Sequence, residues 1–248
     1  MKYWKLFASG IFSYLIFMLF LTPAAWWLKL VSLPADVRLG QVSGTLWRGE
    51  VAVVQYQQLQ LQTLRWQLNG WALFSGKLKL ALQSGSMQQT QQPYLNAHIS
   101  YSLNGIQVQN SLLRLPVSQL IPLLQLPLPV QATGELMLDI RDYQYGAPWC
   151  DTLSGAANWL DARLQPPGSN WLDLQSVYAD LSCQEGEPLL TTDGQNALGL
   201  AITARLNQAG KLSVDGTVKP EASMPQEVHQ AMKFIGQPDA EGRYSIRF

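Results

Sequence analysis

The feature that most constrains this chain is an uncharged stretch near its start. Residues 6–28 contain no Asp, Glu, Lys or Arg, and they follow directly after Lys5. As an α-helix, a stretch of this length is about 34 Å long, whereas the hydrocarbon core of a bilayer is about 30 Å thick. A bilayer core offers no water to backbone N–H and C=O groups, so a segment that crosses it has to be helical. The sequence therefore predicts a single transmembrane helix over residues 6–28.

The charges on either side of this helix predict its orientation. Lys2 and Lys5 precede the uncharged stretch, whereas Lys29 and Asp36, of opposite sign, follow it. Because positively charged flanks stay in the cytoplasm, we expect residues 1–5 to form a short cytoplasmic N-terminus. The bulk of the chain would then lie on the far side of a membrane that it crosses once.

Two other interpretations of this stretch are weaker. A cleavable signal peptide has an apolar core of about 7–15 residues and ends at a small-residue site. Here Leu6–Leu21 is already longer than that, and Thr22–Ala24 fits a cleavage site only loosely. A buried core helix would normally carry a polar face, which this stretch lacks. We therefore expect an uncleaved membrane anchor.

Beyond Arg38 the apolar residues alternate with polar ones, which is typical of half-buried antiparallel strands. The clearest apolar series are Leu64/Trp66/Leu68, Leu78/Leu80/Leu82, Ile99/Tyr101/Leu103 and Leu136/Leu138/Ile140. Leu59 and Leu61 are out of phase with Leu64, so we expect a bulge or strand break near Thr63. The fold class predicted is mainly β: an antiparallel, curved sheet with one or two short helices, over Pro116–Leu126 and about Met224–Ile235.

The net charge of zero conceals an asymmetry along the chain. Residues 1–134 carry nine Lys/Arg and two Asp/Glu, whereas residues 135–248 carry eight Lys/Arg and fifteen Asp/Glu. We therefore divide the body into a basic, Gln-rich β region (31–130) and an acidic β region (131–248) with different neighbours. The basic residues are scattered singly, so we expect no nucleic acid partner.

Cys150 and Cys183 are the two cysteines of the chain, and both lie beyond the anchor. In an oxidising compartment they are expected to form a disulfide, in the acidic region. The chain-entropy model gives about 3.7 kcal/mol for closing a loop of this length. Their spacing matches no metal-binding pattern.

Motifs that carry chemistry are missing from the sequence. It contains no phosphate-binding loop, metalloprotease, nucleophile-elbow or EF-hand pattern. His98 and His229 lie far apart along the chain, and each is more simply explained as a structural residue. We expect no catalytic, cofactor-binding or metal-binding residues, no cofactor, and no enzyme.

Short motifs spread over most of the chain carry a family resemblance. They are Val42–Gly49, Leu64–Leu68, Gly76–Leu78, Cys150, Leu153–Gly155, Trp159, Cys183, Phe234–Asp239 and Gly242–Tyr244. In this order, behind an N-terminal anchor, they resemble the type II secretion system protein N family, also called general secretion pathway protein N.

The resemblance implies an inner-membrane accessory or structural component of the type II protein secretion system. That system exports folded periplasmic proteins across the outer membrane, and this component would act through protein–protein contacts with other components. No catalytic residues come with the resemblance. Exposed strand edges and turns such as Gly44–Gly49 would be the docking surfaces, by strand addition.

A second function is open. The strands more weakly resemble the β-groove domains of bacterial lipid-transfer proteins, which suggests a periplasmic lipid- or amphiphile-binding protein tethered to the inner membrane. The apolar side of a curved sheet would hold the acyl chains. Most strands keep one polar face, which favours the first function, so lipid stays a candidate ligand and another small molecule is not expected.

Overall fold

The computed structural model describes residues 2–28, 34–89, 91–123, 130–165, 170–226, 228–229, 232 and 236–247. Within them the chain forms a curved, antiparallel 14-stranded sheet with a few short helices, which confirms the mainly β prediction. The strands are β1 (Val37–Leu39), β2 (Val42–Gly44), β3 (Arg48–Tyr56), β4 (Leu59–Asn69), β5 (Leu78–Ser84), β6 (Tyr94–Ser102), β7 (Gly105–Pro116), β8 (Gln131–Gln144), β9 (Thr152–Gln165), β10 (Leu172–Gln184), β11 (Glu187–Thr191), β12 (Ala201–Leu206), β13 (Leu212–Val218) and β14 (Tyr244–Arg247).

The N-terminal segment folds as two helices, α1 (Lys2–Leu21) and α2 (Ala24–Leu28). The single continuous helix predicted over residues 6–28 is therefore wrong in this detail. Pro23 explains the break, because proline has no N–H and its ring clashes with the preceding turn. Pro23 instead forms an isolated β-bridge with Thr45. In the described part of the chain, no helix combines the length and hydropathy that crossing a bilayer requires.

The sheet is a simple meander. From β3 to β13, each strand pairs with the strands before and after it in the chain, and β14 pairs with β13. Strands β1 and β2 lie end to end along the outer side of β3. Its registers bring the predicted apolar series together, since Leu68 faces Leu80 and Leu80 faces Ile99. The apolar residues therefore share one side of the sheet.

Left-handed residues interrupt several strands. Thr63 in β4 has a φ of +51°, at the position where the apolar alternation changes phase, which confirms the predicted irregularity. Asn110, Asp161 and Gln175 have φ between +46° and +61°, and each lies beside a register shift. Such bulges add bend and twist to the strands that carry them, which is how this sheet acquires its curvature.

The predicted helix over Pro116–Leu126 is shorter than expected. Helix α3 covers Val117–Leu120, a 3₁₀ turn covers Ile121–Leu123, and residues 124–129 lie outside the described part. Pro122 cannot donate the hydrogen bond that an α-helix would need there. The predicted helix at Met224–Ile235 lies partly outside the described residues, since 227, 230–231 and 233–235 are among those not described.

The best-packed apolar core lies on β9 and β10. Ala162 and Leu174 pack there with residues that follow β11 and β13, namely Ala197, Met224 and Val228. Elsewhere on the apolar side of the sheet most leucines are only half-buried. Among the described residues, the segments that contain Ala197, Met224 and Val228 thus cover one part of the sheet, and the strands of the basic region form a single layer.

Candidate functional site

The turn between β2 and β3 joins the N-terminal helices to the sheet. Gly44 pairs with Gly49, and the N–H of Thr45 donates to the carbonyl of Arg48 at 2.8 Å. Gly44 has a φ of +90°, and a Cβ on it would collide with the Arg48 carbonyl oxygen. Only glycine fits such a position without strain. The bridge from Thr45 to Pro23 then fixes this turn to the break between α1 and α2.

The first two resemblance motifs meet at this turn. The indole Nε1–H of Trp66 on β4 donates to the Leu46 carbonyl at 3.1 Å, and the Trp66 ring occupies the space that a side chain on Gly49 would need. The N–H of Leu68 donates to the Trp47 carbonyl at 2.7 Å. Residues separated by about twenty positions therefore form one structural junction.

This junction leaves few backbone groups for a partner. The Thr45 N–H and the Leu46 and Trp47 carbonyls already have partners within the chain. Strand addition needs free N–H and C=O groups along an edge. The Gly44–Gly49 turn, expected from the sequence as a docking surface, is better suited to positioning the helical segment against the sheet.

Among the described residues, β14 forms one edge of the sheet, and β1 and β2, which pair with β3, form the other. Strand β14 pairs with β13 alone, whereas the strands from β4 to β13 each have two neighbours. Arg247 at its end forms an ion pair of 2.8 Å with Asp215 of β13, and Ser245 is exposed. The outer side of this short strand therefore presents backbone groups that a partner strand can bind.

A tight turn leads into β14. The carboxylate of Asp239 accepts the N–H groups of Glu241 and Arg243 at 3.0 and 2.8 Å, and the Arg243 Nε–H at 2.9 Å. The backbone hydrogen bond from Arg243, followed by its side-chain hydrogen bond and positive charge, lowers the pKa of Asp239. Two resemblance motifs, around Asp239 and Gly242–Tyr244, thus act together to set the start of the edge strand.

The polar side of the sheet forms two adjoining depressions of about 460 and 490 Å³ over β3–β7. Both are lined by Gln67, Ala81 and His98. The His98 backbone N–H donates to the Ser111 hydroxyl at 2.9 Å, and its ring Nδ1 lies 3.3 Å from the Asn110 carbonyl. His98 therefore lies at the β6–β7 bulge, in contact with its backbone.

The disulfide is present, which confirms that prediction. Cys150 and Cys183 are bonded, with their Cα atoms 6.3 Å apart, and Cys150 is 1% exposed. Neighbouring contacts hold the same loop, because Tyr143 donates its hydroxyl proton to the Trp149 carbonyl at 2.7 Å. The Trp149 indole N–H in turn donates to the Asn207 carbonyl at 2.9 Å. The disulfide thus fastens the β8–β9 loop to the end of β10.

One ion pair connects the basic and acidic regions. Arg114 on β7 lies 3.7 Å from the Glu135 carboxylate on β8, and the two side chains are 12% and 21% exposed. The Arg114 guanidinium also donates to the Ser86 and Gln89 carbonyls and lies over the Tyr94 ring. Arg114 therefore fastens the β5–β6 loop to the middle of the sheet.

The sequence interpretation missed a loop between β4 and β5. The 3₁₀ turn Gly70–Ser75 exposes 83% of Trp71, 49% of Leu73 and 88% of Phe74. The signal was present, because three large apolar residues stand between two glycines where a turn joining two strands is usually polar. In isolation such residues are equally typical of a core.

Groups that form metal or catalytic sites are not assembled in the part of the chain that the structure describes. Among those residues, no three His, Cys, Asp or Glu side chains come close enough to hold a metal ion. His98 and His229 lie on separate elements, on β6 and in the segment after β13. The absence of catalytic residues stays a prediction of the sequence.

Comparison with known proteins gives consistent matches. A profile of the family described as type II secretion system (T2SS), protein N, matches residues 35–247. The Vibrio cholerae type II secretion system protein N is 31% identical over 223 residues, which cover 90% of this chain and 88% of that protein. The protein of the same name from Aeromonas hydrophila is 32% identical over 242 residues, covering 95% and 93%. A Klebsiella pneumoniae relative, also of that name, is 29% identical over 244 residues, covering 95% and 90%.

No solved structure matches the chain.

Proposed function

Since this chain belongs to the type II secretion system protein N family, and is thus a component of that system, we propose that it is an inner-membrane accessory subunit. It supports the export of folded periplasmic proteins across the outer membrane through contacts with other components. In this proposal residues 1–5 are cytoplasmic, residues 6–28 are the anchor, and the sheet is periplasmic. The uncharged sequence behind Lys2 and Lys5 supports the anchor.

The topology has a direct test. A reporter that is active only in the periplasm is expected to work when fused shortly after Asp36, and the mature protein is expected to keep Met1. N-terminal sequencing that begins near Ala25 would instead identify a cleaved signal peptide. An inactive reporter at this position would indicate the opposite orientation, with the sheet on the cytoplasmic side.

The proposed contacts rest on the outer side of β14, which pairs with no strand in the part of the chain that the structure describes. Proteins usually protect such edges or use them for binding, because unpaired backbone groups accept another strand. The ion pair at Arg247 covers only the end of this strand. We propose that a strand of another secretion component adds to β14, and that the acidic region 131–248 therefore meets different neighbours from the basic region 31–130.

Crosslinking in cells tests this contact. Both native cysteines are bonded, so a single new cysteine is the one free thiol. Ser245→Cys on the outer strand is expected to crosslink to a secretion component. Gln67→Cys, exposed on the polar side of the interior strand β4, is the matched control. Equal crosslinking of both variants to the same component, or none by Ser245→Cys in a strain that secretes, would refute the contact at β14.

A lipid-binding function is the second candidate, and the half-buried apolar side of the sheet favours it. Residues such as Leu68, Leu80 and Ile99 form a continuous apolar stripe across three strands. The test is mass spectrometry of the protein purified in detergent without added lipid. A bound phospholipid in fixed proportion would support this function, and a lipid-free protein that retains secretion activity would exclude it.

The proposed role is non-catalytic, and the two histidines provide a test. The double variant His98→Ala/His229→Ala is expected to secrete nearly as well as the parent, since neither side chain is assigned chemistry. Secretion is measured beside a strain that lacks the gene. Loss of secretion by a stably folded double variant would show that a chemical site exists.

A further inference from the structure

The loop Gly70–Ser75 is built to hold apolar side chains outward. Asn69 Oδ1 accepts the Trp71 N–H at 3.1 Å, and the Ser75 hydroxyl donates to the Ala72 carbonyl at 2.8 Å. Gly76, with a φ of +68°, closes the turn by donating its N–H to the Leu73 carbonyl. Ala72 is buried beneath the loop. The exposed rings are therefore supported by a turn that several hydrogen bonds hold in place.

The exposed apolar surface is larger than one residue. The rings of Trp71 and Phe74 are 5.9 Å apart between centroids. The β6–β7 turn lies beside this loop, because Tyr101 at the end of β6 pairs with Leu78 at the start of β5. Leu103 on that turn is fully exposed, and Tyr101 is 59% exposed. We call Trp71, Leu73, Phe74, Tyr101 and Leu103 the apolar tip.

The charges around the apolar tip are positive. Lys77 and Lys79 follow the loop directly, and both are exposed. The sequence contains no Asp or Glu between Glu50 and Glu135, so no acid lies on β4 to β7 or on the turns that join them. Aromatic and leucine side chains flanked by lysines are the composition that binds anionic membrane surfaces.

The position of the apolar tip agrees with this chemistry. Gly70 lies against the Trp47 ring, since a Cβ on Gly70 would come within 2.9 Å of it. Trp47 belongs to the β2–β3 turn, which bridges through Thr45 to Pro23 at the end of α1. The loop is thus connected, through Trp47 and the β2–β3 turn, to the break between α1 and α2 in the uncharged N-terminal segment.

We propose that the apolar tip inserts into the interfacial layer of an anionic lipid bilayer, with Lys77 and Lys79 against lipid phosphates. Trp71 and Phe74 enter at the depth of the headgroups and upper acyl chains, where aromatic side chains are favoured. With the helical segment, this gives the sheet a second attachment to the same membrane. This proposal rests on the proposed function in one respect only, namely the identity of the membrane.

Fluorescence quenching in vesicles tests the insertion. The full chain is reconstituted in vesicles of phosphatidylethanolamine and phosphatidylglycerol, and Ser75→Cys is labelled with an environment-sensitive dye. Met87→Cys, in the β5–β6 loop at the other end of β5, is the control, since Met87 is 58% exposed. Lipid-borne quenchers are expected to quench the label at 75 several-fold more than the label at 87.

Two further variants separate the contribution of the aromatic side chains from that of the lysines. Trp71→Ser/Phe74→Ser in the Ser75→Cys background is expected to remove most of the difference between the two labels. Lys77→Gln/Lys79→Gln is expected to weaken quenching in vesicles with phosphatidylglycerol and to leave it unchanged in pure phosphatidylcholine. Circular dichroism of each variant checks that the sheet is intact.

Equal quenching of the labels at 75 and 87 in every lipid would overturn the proposal. Shielding of the label at 75 that needs an added secretion component, and not lipid, would assign the apolar tip to a protein interface and overturn it as well. Secretion is not measured here, so failure of the proposed secretion role leaves this result unchanged.

Discussion

At the scale of single residues, Gly44 has tightly restricted surroundings. It combines a positive φ with a carbonyl oxygen where a Cβ would lie, whereas Gly76 has a positive φ and open space around it. Gly76→Ala is expected to lower the free energy of unfolding by about 1–2 kcal/mol, which is the cost of the left-handed conformation alone. Gly44→Ala adds a steric cost of about 1–3 kcal/mol. Urea unfolding of the two variants measures the difference, and equal destabilisation would contradict the close approach at Gly44.

Arg114 and Arg65 allow a matched comparison of two ion pairs. The Arg65–Glu50 pair is 65% and 48% exposed, so Arg65→Ala is expected to cost about 0–1 kcal/mol. The Arg114–Glu135 pair is much less exposed, and Arg114 also holds two loop carbonyls. Arg114→Ala is expected to cost about 2–4 kcal/mol, since it leaves a poorly solvated Glu135. Similar unfolding free energies for both variants would show that Arg114 is not a structural tie.

Among the elements, the β8–β9 loop depends on its disulfide. Removing both cysteines, as Cys150→Ser/Cys183→Ser, is expected to lower the free energy of unfolding by about 2–5 kcal/mol. The sheet registers should survive, because the strands beside the loop pair along most of their length. Thiol titration of the unfolded, unreduced parent provides the control, and two free thiols there would contradict the bond.

The order of β14 is expected to depend on pH through Asp239. Its pKa is lowered in the folded protein, so the carboxylate stabilises the turn at neutral pH. This contribution is lost as the pH falls below the ordinary carboxyl range and through the lowered pKa. Amide exchange at Tyr244–Arg247 should therefore speed up on acidification relative to the neighbouring strands. Asp239→Ala should show that faster exchange already at neutral pH, whereas Asp36→Ala should not.

Period-two alternation was sufficient to predict strands at β4, β5, β6 and β8, since Leu78, Leu80 and Leu82, for example, do lie on one side of β5. The change of phase at Thr63 predicted an irregularity in the strand. Side chains alternate between the two faces of a sheet, so one extra residue moves all later side chains to the opposite face. The contact of Trp66 with Gly49 could not be predicted from the sequence, because it depends on the register between two strands. The exposure of Trp71 could not be predicted either, since the alternation of apolar and polar residues does not show which apolar side chains stay exposed to solvent.

At the scale of the whole molecule, the basic and acidic regions share one sheet. Strands β7 and β8 pair from Gln107–Gln144 to Pro116–Glu135, across the boundary predicted near residue 130. We therefore expect the full chain to unfold in one cooperative transition, because separating the regions would expose a long edge on each. Circular dichroism and tryptophan fluorescence should give coincident urea curves. Two separated transitions would instead show two independent folding units.

The meander also bears on how the chain reaches its folded form. Each strand after β3 finds its next partner in the segment that follows it, so no pairing has to wait for the far end of the chain. Structures dominated by such local contacts form quickly, since little loop entropy is lost before each contact is made. A chain that emerges N-terminus first can therefore add its strands to the sheet in the order of synthesis. Each newly paired strand then offers its free edge to the next one.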